Sequence, residues 1–409
     1  MELKRRIVSN RVSCQFRRCV RDLSKVGLRL HDWQIDGVKW MLNREQDYRF
    51  RGGFLLDDMG LGKTLETIGV MIGNKVEKTL LVLPTSLISQ WRCHLEKYDP
   101  DLKIVMHYGS DRLTSSWELE SEGRLIVITS YEMTYSRQSI HFCPTILHKI
   151  CWDRIICDEC HLIRNAKCKR TQGIWRLNGG IRWGLTGTPI HNGEIDFVNL
   201  FRFHDYSINY ISKNLLSLIE RYTLRRTKKM IGGDLDLPGL EVHIHKLDFS
   251  SEEEREFYRR VRGEVREEFS RLRNMRFNMT AVFELLLRSR QSCIYPGMVI
   301  NGYNKKYHTS VDNWRGSVSK IQKIVDMIHN NYQKDFGSDK SLVFTHFKEE
   351  MTLLKNYLSR LGFNVSTIDG SVSLSSREDI LDLCHFNILT ESRKCVSKLN
   401  IFSDDIMKR

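Results

Sequence analysis

The sequence predicts an α/β fold of doubly wound parallel sheets, the second less complete than the first. Three observations carry this. Between residues 50 and 190 short apolar runs alternate with helix-like stretches. A Gly-rich turn sits where one such run gives way to a helix, and two adjacent carboxylates end a later run. A second alternation of the same kind starts after about residue 316. Strands that are apolar throughout imply a sheet covered by helices on both faces.

The apolar runs come in order as Phe54–Leu56, Leu80–Leu83, Lys103–His107, Leu125–Thr129, Arg154–Cys157 and Arg182–Leu185. Amphipathic stretches such as Thr64–Ile72 and Ile88–Tyr98 lie between them, and 108–124 reads as loop. From about residue 207 the character changes. Segment 250–292 is dense in charge, with Glu256–Arg260 and Glu267–Arg271 at the i,i+4 spacing that favours an exposed helix. The Asn-, Gly- and Tyr-rich stretch 298–316 reads as a linker. Then follow a helix at Ile321–Ile328, a strand at Ser341–Thr345, a helix at Glu349–Leu361, a strand at Val365–Ile368 and a helix at Ser376–Cys384. The last twenty-odd residues show no clear strand–helix unit.

The 409 residues leave room for two or three domains, and 41% apolar with 28% charged content is ordinary for a globular chain. No apolar run reaches the ~20 residues that span a bilayer, so no membrane partner is expected. The eleven cysteines are odd in number and irregular in spacing, unlike a disulfide framework. Net charge is +14. Residues 1–29 hold nine basic residues (Lys4, Arg5, Arg6, Arg11, Arg17, Arg18, Arg21, Lys25, Arg29) against Glu2 and Asp22, which is +7 and half of the total. Such a cluster suits a phosphate backbone, an anionic surface, a nuclear-import signal or a solvated helix face.

The strongest local signal is Asp57-Asp58-Met59-Gly60-Leu61-Gly62-Lys63-Thr64. Glycines let backbone amides close around a phosphate, and the helix that follows adds its positive end. Lys63 is placed to reach the β- and γ-phosphates, and the Thr64 hydroxyl to ligate Mg²⁺. The generic pattern has glycine where Asp57 stands, and an ordinary β–α turn is the plain alternative. The second signal is Asp158-Glu159-Cys160-His161, after the apolar run Ile155–Cys157. There Asp158 can hold Mg²⁺ and Glu159 can orient and deprotonate a water. Cys151, Cys157, Cys160, His161 and Cys168 raise a zinc reading. Cys157 lies inside a strand and no second C-x₂-C pair follows, so no structural zinc is expected.

Taken with further segments, these motifs resemble the Swi/Snf branch of the superfamily-2 helicase-like ATPases. In that branch the unusual Asp57 is the rule. Leu28 to Val38 is similar to the segment ahead of the phosphate loop, where Gln34 takes the adenine-recognising role. Leu83 to Trp91 and Thr129 to Glu132 resemble DNA-contacting motifs, and Leu185 to Asn192 resembles the motif coupling nucleotide to DNA, through Thr186, Gly187 and Thr188. Tyr222 to Lys228 and Ser251 to Tyr258 are similar to the inter-lobe region. Leu287 to Pro296 is nearest to the DNA-repair and transcription-termination subgroup, with baculovirus global transactivators close by. Trp33 and Trp91 also read as core aromatics, and Arg225 and Arg226 as braces between lobes.

The resemblance implies two RecA-like lobes, with ATP and Mg²⁺ as ligands. It implies double-stranded DNA, and through it DNA-bound proteins, as partners, in the nucleus (the host's, for a viral chain). The expected layout is a basic segment 1–26, lobe one 27–206, a helical inter-lobe region and linker 207–315, a partial lobe two 316–388 and a divergent tail 389–409. Ser341 to Phe347, Ile368 to Ser371 and Arg377 resemble lobe-two motifs. After Phe386 the likeness ends, without the Gly-rich strand or the arginine-finger helix. The resemblance therefore implies a DNA-dependent ATPase of doubtful hydrolytic competence, or alternatively a non-catalytic ATP- and DNA-binding regulator derived from one.

Overall fold

The computed structural model describes residues 16–17, 19–47, 50–110, 112–113, 115, 119, 123–136, 143–191, 193–232, 241–273, 279–334, 341–373, 376–377, 379–380 and 398–403. Lys4, Arg5, Arg6, Arg11, Arg18 and most of the 389–409 tail lie outside them, as do Asn192 and most of the helix expected at Ser376–Cys384. The chain forms two compact units, Met1–Gly239 and Leu240–Arg409.

The first unit holds seven strands: β1 (Gly52–Leu55), β2 (Lys78–Leu83), β3 (Lys103–His107), β4 (Leu125–Ser130), β5 (Cys151–Asp158), β6 (Asn178–Leu185) and β7 (Thr223–Leu224). They lie in the order β3-β4-β2-β5-β6-β1-β7, every described pairing parallel. Alternate residues of a strand feed opposite faces of the sheet. Leu80, Val82, Leu125, Val127, Ile155 and Cys157 join one core. Leu81, Leu83, Ile126, Ile128 and Ile156 join the other. Each such apolar side chain gives about 1.5–3 kcal/mol on leaving water, so both faces of the sheet draw helices over them.

β7 was not foreseen, because two residues carry no periodicity. Its pairing runs on past β1: the Leu56 amide donates to the Leu224 carbonyl at 2.7 Å, and the Asp58 amide to the Arg226 carbonyl at 3.0 Å. The phosphate loop therefore begins while still zipped to the edge strand.

One buried ion pair ties the helix Asp32–Glu45 to the sheet. Glu45 and Arg154 are 0% and 1% exposed, and Arg154 donates to both carboxylate oxygens at 2.8 and 2.6 Å. Trp183 Nε1 and Asn74 Nδ2 donate to the same carboxylate.

In the second unit β8 (Ser341–Thr345) and β9 (Asn364–Ile368) flank β10 (Lys398–Ser403), all parallel. The sequence shows no clear strand–helix unit in the last twenty-odd residues, and β10 is the one element described there: its run is too short to declare itself without the two neighbours that it pairs with. The helices Ser319–Lys334 and Lys348–Arg360 pack on this sheet through Ile321, Val325, Leu354 and Leu358. On β8, Leu342 and Phe344 are 53% and 52% exposed. A correction concerns the linker. Residues Pro296–Tyr307 are helical, begun by Pro296 at the first turn and stopped by His308 in the left-handed conformation, with Met298 and Val299 buried. The expected charge pairs also differ. Arg271 meets Glu268 rather than Glu267, and Glu252 holds Arg255 and Arg259.

Candidate nucleotide site

The phosphate loop runs from the end of β1 to the helix Lys63–Gly73. Gly60 and Gly62 have φ of 88° and 87°, which only glycine adopts without strain. Gly62 has a second reason: a Cβ there would stand 2.0 Å from Gln34 Nε2. Lys63 Nζ donates to the carbonyls of Asp57 and Asp58, at 2.7 and 3.2 Å, so the loop curls around its own lysine. Leu61 is buried, Thr64 half-buried at the first turn of the helix, and Met59 exposed at the crest.

Gln34 is buried beside this loop. Its Nε2 donates to the Leu61 carbonyl at 3.0 Å, and its Oε1 accepts the His31 amide at 2.9 Å. Trp33 Nε1 reaches the same Leu61 carbonyl at 3.3 Å, its ring stacked on His31 at 4.2 Å.

Asp158 ends β5 under cover. Trp91 Nε1 donates to its Oδ2 at 2.8 Å, the Glu159 amide to its Oδ1 at 2.9 Å, and the Tyr131 hydroxyl to its carbonyl at 2.6 Å. Burial pushes its carboxyl up to about 6, against the Trp91 bond and the Lys63 charge. Trp91 is thus a core aromatic, as expected, and also a ligand of the carboxylate. Cys157 and Cys160 are buried in one core cluster.

Glu159 takes a left-handed backbone, φ 50°, that swings its side chain toward the next strand end. Its Oε2 accepts the Thr186 hydroxyl at 3.0 Å, and His161 Nδ1 lies 3.0 Å from both Glu159 Oε2 and Thr186 Oγ1. Burial works against the charge, but the His161 and Thr186 bonds and the Lys63 charge outweigh it and hold Glu159 below its ordinary range. The Thr188 amide donates to Thr186 Oγ1 at 3.2 Å. At Gly187 a Cβ would come within 2.9 Å of the Met59 side chain, so this segment lies directly against the phosphate loop.

The structure therefore gathers Asp57 to Thr64, Gln34, Asp158 to His161 and Thr186 to Thr188 at one end of the first sheet. It also adds partners that sequence reasoning missed. Arg226 was read as a brace between lobes, but its partners lie within the first unit. Its amide and Nε hold the two Asp57 oxygens at 2.7 and 2.9 Å. Its Nη2 meets Asp57 and both Glu66 oxygens, the latter at 2.8 and 2.7 Å, and its Nη1 meets the Trp33 carbonyl. Arg225 donates to the Leu56 carbonyl at 3.0 Å and to Asp58 at 3.3 Å. The signal was present: a carboxylate at Asp57, where glycine suffices elsewhere, needs a cation once buried.

Residues 33–209 match the family of SNF2-related domains. The match lies wholly within the first unit, which over that stretch is similar to an SNF2-related domain. This domain's relatives include the "probable global transactivator" of Orgyia pseudotsugata multicapsid polyhedrosis virus, 25% identical over 90% of this chain and 76% of that one. They also include the DNA repair protein rad8 of Schizosaccharomyces pombe, 31% identical over 61% of this chain. Both names fall in the subgroup that Leu287 to Pro296 suggested. The chain spans 27% of the yeast protein, and 39% and 25% of relatives from Bacillus subtilis and Arabidopsis thaliana. Among solved structures, the Sulfolobus solfataricus SWI2/SNF2 ATPase core in complex with dsDNA is similar at 24% identity and TM-score 0.45, over 92% of this chain and 78% of that chain. Among the described residues no helix is long and apolar enough to cross a membrane.

Proposed function

We propose that this chain is an ATP-dependent motor of the Swi/Snf type. It acts on double-stranded DNA and displaces or remodels DNA-bound proteins in transcription, chromatin or repair, within the nucleus. One observation carries the reading. The Thr186 hydroxyl is bonded to Glu159, beside His161, while the next residue packs on the phosphate loop. A displacement of the 186–188 segment by DNA thus reaches the hydrolytic carboxylate through a single hydrogen bond.

Each residue then has a task. Gln34 lies against the loop where an adenine edge would meet it, and Lys63 and the loop amides take the phosphates. Glu159, ionised at neutral pH, orients the attacking water and accepts its proton. The donor set fits Mg²⁺: a hydroxyl from Thr64 and a carboxylate from Asp158 are hard oxygens, few enough to leave water in the remaining positions. Bound there, the ion would neutralise phosphate charge. Asp158 sits buried with two hydrogen-bond donors, which fix the direction of its carboxylate, and feels the Lys63 charge.

The test is a DNA-stimulated ATPase assay on the purified full chain beside Lys63→Ala. DNA-dependent turnover confined to the wild type is expected. Equal rates in the two proteins reject the proposal. DNA binding indifferent to ATP, with no turnover, replaces the motor with a non-catalytic regulator.

A further inference from the structure

Asp57 and Glu66 are both 0% exposed, and one guanidinium stands between them. Asp57 opens the phosphate loop, whereas Glu66 lies in the helix that the loop starts. The third partner is the carbonyl of Trp33, one residue before Gln34. Gln34 itself has both ends engaged, one by the His31 amide and one by the Leu61 carbonyl of the loop. The backbone leaves no slack here: a Cβ on Gly37 would stand 1.7 Å from Glu66 Oε2.

We propose that Arg226 is a positioning residue for the nucleotide, fixing the phosphate loop and the Gln34 turn as one rigid unit, so that purine choice and phosphate grip depend on the same side chain. The proposal rests on the nucleotide-site reading above. The chemistry requires arginine. A planar fork can serve two carboxylates and a carbonyl at once, whereas an ammonium is a point charge on a flexible stem. Without the fork the two buried acids keep a cation but lose the geometry that joins them to the Trp33 carbonyl. The loop and the Gln34 turn then move independently. Arg226 also follows β7 directly, and its own amide closes on Asp57, so the fork cannot drift from the loop it holds.

The experiment measures the affinity of fluorescent ATP and GTP analogues for the full chain, for Arg226→Lys and for Asp57→Asn, with thermal unfolding alongside. The wild type is expected to prefer ATP. Arg226→Lys is expected to lose about tenfold in ATP affinity and to shrink the ATP-over-GTP preference toward unity, the size of a broken side-chain network. A residue that only supports the fold shifts the melting temperature and leaves that preference alone. A folded Arg226→Lys with wild-type affinity and preference overturns the proposal. If Arg226→Lys does not fold, Asp57→Asn decides, because it keeps the bond to the Arg226 amide and leaves no bare cation beside Glu66. An unchanged purine preference there overturns the proposal equally. A wild type that binds neither nucleotide overturns the nucleotide-site reading itself, which separates the two failures.

Discussion

Glu45→Ala tests the packing of the first unit. The change removes the acceptor of four described donors: Arg154 Nε and Nη2, Trp183 Nε1 and Asn74 Nδ2. It also leaves the Arg154 charge at 1% exposure without its carboxylate. Breaking a buried pair from one side costs about 3–5 kcal/mol. For a unit of this size about 2–4 °C of melting temperature follows each kcal/mol, so the loss is roughly 6–20 °C. Urea unfolding followed by tryptophan fluorescence reports it directly, since Trp183 belongs to the network. The paired change Glu45→Leu with Arg154→Met removes both charges and restores part of the loss, because apolar replacement of a buried pair is often neutral while Trp183 Nε1 and Asn74 Nδ2 still lack this acceptor. A Glu45→Ala loss under about 1 kcal/mol, or a paired variant no better than the single one, refutes the reasoning.

Thr186→Val keeps shape and removes the hydroxyl that serves Glu159 and the Thr188 amide. At about 1.5–3 kcal/mol for a bond to a charged group, DNA-stimulated turnover falls roughly ten- to a hundredfold, with ATP affinity nearly unchanged in a binding titration. Asp158, raised to about 6 by burial, takes up its proton near that pH and the proton competes with the ion, so at subsaturating Mg²⁺ hydrolysis has an acid limb there rather than near 4. Folding favours its protonated form, so its contribution to stability is full below about 4 and is lost as pH rises through 6. Trp91→Phe removes one donor to the ionised carboxylate and moves the acid limb of the pH–rate profile upward; an unmoved limb contradicts the assignment. Pro296→Gly removes the fixed start of the helix Pro296–Tyr307 and lowers the thermal stability of the second unit by about 1 kcal/mol or less in calorimetry.

Six strands of the first sheet were legible as short, mostly apolar runs, and all but the edge strand β3 are buried along most of their length. The loop around Lys63 and the pair Asp158–Glu159 were legible because their chemistry is written in contiguous residues. What escaped was not local. β7 and β10 are strands only through the neighbours they join. The stretch after Pro296 is rich in Asn, Gly and Tyr and lacks an apolar stripe, yet a proline start and buried Met298 and Val299 suffice to make it helical. Arg226 meets Asp57 across 169 positions and Arg154 meets Glu45 across 109, distances at which no pattern in a single sequence survives.

That separation has a consequence for how the protein comes into being. Asp57 leaves the ribosome 169 residues ahead of the arginine that neutralises it. At 5–20 residues per second the interval is roughly ten to thirty seconds. For that time the nascent chain exposes an acidic, unset loop at the end of its earliest strand. On the proposed reading a nucleotide-competent site comes late in the translation of the front unit, and ribosome-bound chains stalled before residue 226 should emerge unable to retain ATP.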